Sequence, residues 1–189
     1  MIPNRRYRPY DRGNDLSSDV KFDVRRYRPA DKQGVIDTIL PIQREEFGIP
    51  ITAEDQPDLA TIEAFYQTGK GDFWVAVTGE EGSPTAEGLV VGTIALKDIG
   101  DSQAALRKMF VAAPYRGRDL GVAARLLEAL LAASRQRGLQ RIYLGTTAKF
   151  LAAHRFYEKH GFTEVTADAL PASFPRMVVD TKFYVIELE

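Results

Sequence analysis

Tyr115-Arg116-Gly117-Arg118-Asp119-Leu120-Gly121-Val122-Ala123 stands where a strand-like run ends at Pro114 and an amphipathic pattern begins. The pattern puts Leu120, Ala123, Leu127, Leu130 and Leu131 on one face and Arg125, Glu128 and Arg135 opposite, which predicts a helix over residues 119–137 closed by Gly138. The nonapeptide therefore opens a helix, where unpaired N–H groups and the positive end of the peptide dipoles suit an anion. Gly117 and Gly121 let a ligand approach the main chain, and the guanidinium forks of Arg116 and Arg118 match phosphate oxygens. The stretch lacks the Gly-Lys-Ser/Thr of a P-loop and the three-glycine spacing of a dinucleotide fingerprint. On these residues alone the turn is either a phosphate site or a plain turn with two solvated arginines.

Upstream, residues 73–77, 88–96 and 105–111 are strand-like runs joined by short turns and predict an antiparallel meander. Before them come a strand through Val24 and Tyr27 and a helix over 31–47 marked by Val35, Ile36, Ile39 and Leu40. An acidic loop over 48–58 then leads to a second helix carrying Leu59, Ile62 and Phe65. Downstream, a strand over 141–144 feeds a helix ending at Gly161, and strands near 162–165 and 177–187 finish the chain. The class is α/β, with a mixed, largely antiparallel sheet flanked by helices. Residues 21–189 form one domain, and residues 1–20 read as a flexible extension with few apolar anchors. Its Arg5-Arg6-Tyr7-Arg8-Pro9 is echoed by Arg25-Arg26-Tyr27-Arg28-Pro29, a single echo too few for a repeat architecture.

The 25 cationic and 26 acidic side chains nearly cancel, so no global field draws the protein to nucleic acid or an anionic membrane. No cysteine is present, which excludes thiolate nucleophiles, and two histidines are a thin basis for a metal site, so no metal is expected. No apolar stretch suits a secretory signal or a membrane span, so a cytoplasmic location is expected.

The run from Arg118 to Ala123 resembles the Arg/Gln-x-x-Gly-x-Gly/Ala signature of the GNAT superfamily of N-acyltransferases. Met109, Phe110 and Val111 before it resemble that family's fourth strand. Ala153-His154-Arg155-Phe156-Tyr157-Glu158-Lys159-His160-Gly161-Phe162 resembles its second motif, A-x-x-Φ-Y-x-x-x-G-F. The resemblance is specific over 106–162 and follows element order from Phe22 onward. It implies a sheet that splays between its fourth and fifth strands and takes acetyl-CoA as co-substrate. Met109, Phe110 and Val111 would pair with the pantetheine arm, and Arg116, Gly117, Arg118, Asp119, Leu120, Gly121, Val122 and Ala123 would take the pyrophosphate. Phe150, Ala153 and Phe156 would line the arm. Phe150 stands where the family commonly has an asparagine bonding to the arm, a contact that Thr146 or Thr147 could replace.

Acetyl transfer to an alkyl amine needs the free base, which is roughly 0.04% of the acceptor at pH 7 and costs about 4.6 kcal/mol to reach. It also needs a proton for the leaving thiolate, and the resemblance assigns that to Tyr157. The residues alone leave open that Phe156 and Tyr157 only pack helix on sheet. Many family members carry a glutamate on the fourth strand just before the Leu-Arg pair, and here that position is Ala105. Glu45 and Glu46 are in the right region, and Glu46 is taken as the candidate base. His154 reads as an exposed helix residue and His160 as a helix-end charge. The expected function is N-acetylation of a primary amine on a small molecule or protein. The alternatives are an acyl-CoA-binding module without turnover, which Ala105 suggests, and polyanion or partner binding through the arginine-rich first residues. Glu54, Asp55 and Asp58 would suit a cationic acceptor, and the apolar last strand could pair with a partner's edge in a homodimer.

Overall fold

The computed structural model describes residues 21–79, 88–148 and 150–189; the residue 1–20 extension and the first Arg-Arg-Tyr-Arg-Pro copy lie outside them. Three β-branched and aromatic runs form β2 (Asp72–Thr78), β3 (Val90–Gly100) and β4 (Gln103–Val111), with β1 (Phe22–Arg26) on the outer edge. These pair antiparallel in chain order, as the meander requires. The β3–β4 connection is the two-residue turn Asp101-Ser102, whose φ values of 51° and 56° give the primed geometry that matches strand twist. This tight turn carries β3 past Leu96, through the polar Lys97 and Asp98 at which the sequence pattern stops.

The full order is β1-β2-β3-β4-β5-β7-β6, with β5 (Arg141–Thr146), β6 (Thr163–Val165) and β7 (Lys182–Glu187). Among the described residues only β4 and β5 run parallel, and they pair solely where Gln103, Ala104 and Ala105 meet Arg141, Ile142 and Tyr143. Beyond Ala105 the strands part, giving the expected splay. A bulge in β4 contributes. Lys108 has φ 51°, the register with β3 shifts between Thr93 and Ala95, and Thr93 Oγ1 donates to the Lys108 carbonyl at 2.7 Å. A bulge bends and twists its strand, here away from β5. β7 lies between β5 and β6 rather than at an edge, which corrects the reading of the last strand as a fully open edge: β5 pairs it along its length and β6 pairs it over Phe183, Tyr184 and Val185.

Helices cover both faces. On one, α4 (Val122–Gln136) and α5 (Leu151–Lys159) bury Leu126, Leu127, Leu130 and Tyr157 against Ile94, Leu106, Ile142 and Tyr184. Each fully buried leucine contributes about 1.5–3 kcal/mol. Gly92 of β3 allows the approach, since a Cβ there would lie 2.9 Å from Leu126 Cδ1. On the other face, α1 (Lys32–Pro41), α2 (Pro57–Ala60) and α3 (Ile62–Tyr66) bury Val35, Ile39, Leu59 and Tyr66 against Phe73, Val75 and Ala95. The single helix expected over 31–47 changes character at Pro41, which has no N–H for the helical ladder. Residues Ile42–Glu46 continue as a wider π turn, with Phe47 N–H donating to the Ile42 carbonyl at 3.0 Å. The second expected helix breaks at Thr61 (φ −135°, ψ 54°) into α2 and α3. Among the described residues no helix is long and apolar enough to cross a membrane.

Candidate active site

The 116–123 stretch is wrapped more tightly than its helical pattern suggests. α4 starts at Val122, and Gly121 is its N-cap at φ 66°, with its N–H donating to the Gly117 carbonyl at 3.2 Å. Gly117 has φ 121°, so both glycines hold backbone conformations that L side chains rarely adopt. Nothing lies within 4 Å of a Cβ built on Gly117, and the nearest atom to one on Gly121 is 3.9 Å away. The loop is open on its outer side. Among the described residues no side chain caps α4, so its first N–H groups face that open side with the dipole's positive end. Arg118, Asp119 and Leu120 form the turn and Ala123 is in the first helical turn; Arg118 is exposed and has no ion pair among the described residues.

Arg116 is held differently. Its Nε donates to the Val111 carbonyl at 2.7 Å, and its terminal nitrogens donate to both Glu46 oxygens at 2.7 and 2.9 Å. The bidentate pair ties the π turn after α1 to the end of β4. Glu46, expected as a base, thus has each oxygen engaged by a guanidinium.

Tyr157 is buried on α5, packed against Phe156, Phe162 and Tyr184, with its hydroxyl donating to Met109 Sδ at 3.6 Å. The helix thereby carries this hydroxyl to the stretch of β4 that has parted from β5. Burial pushes the phenol well above its usual range, keeping it protonated. Phe156 and Ala153 pack against the same core. Phe150, at the N-cap of α5, stacks on Phe47 at 4.2 Å, and Phe47 in turn meets Phe110 of β4 at 6.4 Å. His154 is buried rather than exposed, because it turns inward on α5 to donate Nε2–H to the Thr147 carbonyl at 2.9 Å. His160 donates Nδ1–H to the Phe156 carbonyl at 2.7 Å.

Asp58, named above for a cationic acceptor, belongs to a buried polar group around Lys108 that the sequence did not bring together. Lys108 Nζ, at the bulge, is 3.2 Å from Asp58 Oδ2 and donates to Gln56 Oε1 at 2.6 Å, while Tyr66 donates to the same Asp58 oxygen at 2.5 Å. Both charged side chains are only 8% exposed. Burial lowers the Lys108 ammonium and Asp58 pulls it partly back; burial also raises the Tyr66 phenol. Asp58 is therefore turned inward to this lysine, while Asp55 is exposed and accepts from Thr52. The sequence signal was present: Lys108 interrupts an apolar strand run. Arg107, partly buried beside it, reaches Met177 Sδ at 3.4 Å in the segment before β7. That segment also carries Asp180, buried at 9% exposure.

The residues present fit acetyl-CoA: an open main-chain anion loop, a β4 edge without a partner strand among the described residues, and a protonated hydroxyl lie along one opening. Among the described residues no cluster of potential ligands could hold a metal.

Comparison with known proteins agrees with this geometry. The model of the "Acetyltransferase (GNAT) family" matches residues 36–162. The chain is 34% identical over 133 residues to N-acetylaspartate synthetase of Danio rerio, covering 68% of this chain and 44% of that protein. It thus spans less than half the length of such curated relatives. A GNAT-family acetyltransferase structure from Staphylococcus aureus Mu50 superposes with a TM-score of 0.80 at 37% identity, covering 89% of this chain and all of that one. N-acetylglutamate synthase of Neisseria gonorrhoeae, solved with coenzyme A and N-acetyl-glutamate, shares the fold alone, with a TM-score of 0.65 at 16% identity over 90% of this chain and 36% of that one. With two thirds of its residues matched and the splayed sheet in place, the chain belongs to the acetyltransferase (GNAT) family.

Proposed function

We propose that this chain transfers an acetyl group from acetyl-CoA to a primary amine. The observation that carries the reading is the buried Tyr157 hydroxyl meeting β4 at Met109, in the same opening that ends at the 116–123 loop. Bound there, acetyl-CoA supplies the activated acyl group. Arg118 and the N–H groups at the start of α4 hold its pyrophosphate, and the unpaired edge of β4 at Met109, Phe110 and Val111 holds its arm. Phe150, Ala153 and Phe156 flank that arm. A phenol near pKa ~10 facing a thiolate near ~8.5 makes full proton transfer uphill by about 2 kcal/mol, and burial of Tyr157 adds to that. Tyr157 therefore acts chiefly by hydrogen-bonding the departing sulfur. Glu46 positions Arg116 and, through it, the end of β4.

The acceptor side favours an amine that also bears a carboxylate, because Arg107 presents a partly buried guanidinium without a carboxylate within ion-pair distance among the described residues. The name of the N-acetylaspartate synthetases puts L-aspartate first in an acceptor panel, with other amino acids, polyamines and peptide N-termini beside it. The site of action is read as cytoplasmic. Acetyl-CoA is expected to raise the melting temperature, and thiol release with an amine from the panel identifies the acceptor; no shift at millimolar acetyl-CoA would sink the reading.

A second reading, an acyl-CoA-binding module without turnover, is favoured by Ala105 at the usual acid position and by the engagement of Glu46 with Arg116. It retains the thermal shift and gives no thiol release with any amine.

A further inference from the structure

The reaction proposed above lacks a base at Ala105, yet a carboxyl approaches the same place from the segment before β7. Ala104 and Leu106 face the α4 core, so Ala105 and Arg107 face the opposite side of the sheet. On β5, Ile142 and Leu144 face the α4 core, while the Tyr143 ring meets Phe174 on the other side; Gly145 shares that side with Tyr143. Ala105 pairs with Tyr143, so two residues further on Arg107 and Gly145 face each other across the widening gap. Asp180 lies over Gly145: a Cβ there would be 2.5 Å from Asp180 Oδ2 and 2.6 Å from its Cγ. Gly145 is thus the residue whose missing side chain gives this carboxyl its room. Asp180 is buried, yet its Oδ2 accepts only the Met177 N–H at 2.9 Å, and its Oδ1 has no hydrogen bond among the described residues.

From this geometry we infer that Asp180 is the general base, its carboxyl delivered over Gly145 to the gap where Ala105 has none. The inference rests on the acetyltransferase reading. Asp180 takes one proton from the acceptor ammonium, directly or through a water. The freed nitrogen pair forms the C–N bond as the C–S bond breaks. Sulfur departs as the thiolate, hydrogen-bonded by the Tyr157 hydroxyl, and takes up through solvent the second N–H proton that the amine releases as the amide forms. One proton remains on Asp180 and passes to solvent. Burial raises the Asp180 carboxyl, which makes it a better acceptor of protons. The charges acting on it are Arg107 from β4 and Arg176 from its own segment, and from β5 it meets Gly145.

The test compares wild type with Asp180→Asn, which retains an oxygen for the Met177 N–H. With the amine turned over in the panel, kcat/KM is measured from pH 5.5 to 9.5, beside the acetyl-CoA thermal shift. The acceptor's own ionisation is common to both proteins, so the difference between the profiles belongs to Asp180. A fall of about 100-fold or more at pH 7, a lost limb in the profile and an unchanged thermal shift are expected. Turnover within threefold of wild type and an unchanged profile overturn the assignment while leaving the acetyltransferase reading intact. Absence of turnover by the wild type itself removes that reading, and the base with it. Should Asp180→Asn fail to fold, Asp180→Ala is assayed with added formate. Rescue rising with formate supports the base, and none overturns it.

Discussion

The two sides of the β4–β5 opening are made from different materials. The side proposed for the cofactor is main chain: one uninterrupted stretch, 116–123, with glycines at φ 121° and 66° and a helix start without a side-chain cap among the described residues. The side proposed for the acceptor is side chain: Asp58, Tyr66, Arg107, Lys108 and Asp180 arrive from four separate parts of the chain. A site made of backbone tolerates loss of a side chain with little change in folding and shows its damage in binding. A site made of buried charges shows its damage in stability first.

The largest expected effect follows from that contrast. Lys108→Ala leaves Asp58 buried without its cation and should cost about 3–5 kcal/mol in urea unfolding. A cost under about 1 kcal/mol would mean that the pair is solvated and that the contrast fails. Arg118→Ala is the matching change across the opening. It should leave unfolding within about 0.5 kcal/mol of wild type, because the side chain is exposed. It should weaken acetyl-CoA binding by about tenfold or more in calorimetric titration, the worth of a charge-assisted bond. Equal losses in stability for the two variants would erase the distinction.

The same contrast explains what could be read from the residues. The loop proposed to hold the anion could be suggested from the residues because its chemistry lies in adjacent positions, and the Ala153 to Phe162 motif pointed from an anion to coenzyme A. The sheet order was legible because strand patterns and short turns are local. Lys108 with Asp58 was hidden because fifty residues separate them, and the bulge at φ 51° that turns Lys108 inward follows from a register shift against β3. Asp180 was hidden for a similar reason: its position over Gly145 requires knowing that β7 runs between β5 and β6, where the sequence suggested an open edge. The π turn after Pro41 was missed as well, since the apolar periodicity runs through it.

Gly121→Ala probes the backbone side directly. A Cβ there would make only an ordinary contact with the Arg118 carbonyl at 3.9 Å, so the cost is conformational and amounts to about 1–2 kcal/mol at φ 66°. Because the same conformation shapes the anion loop, the variant should also bind acetyl-CoA more weakly, which a thermal-shift titration measures. Unchanged stability would mean that the loop readily adopts a second conformation.

The smallest effect is also the one that separates a working carboxyl from a structural one. The Asp180 carboxyl is raised by burial, so the folded chain holds its proton more tightly than the unfolded chain does. Between the ordinary carboxylate range and that raised value, the unfolded state ionises first, and stability falls as pH rises. Above the raised value the penalty is complete; below the ordinary range it is absent. Asp180→Asn, which cannot ionise, should therefore melt slightly higher than wild type at pH 7.5, with the gain vanishing near pH 3.5. A stabilising change that abolishes turnover is what a strained catalytic group produces, whereas a carboxylate serving the fold would make Asp180→Asn melt lower at neutral pH.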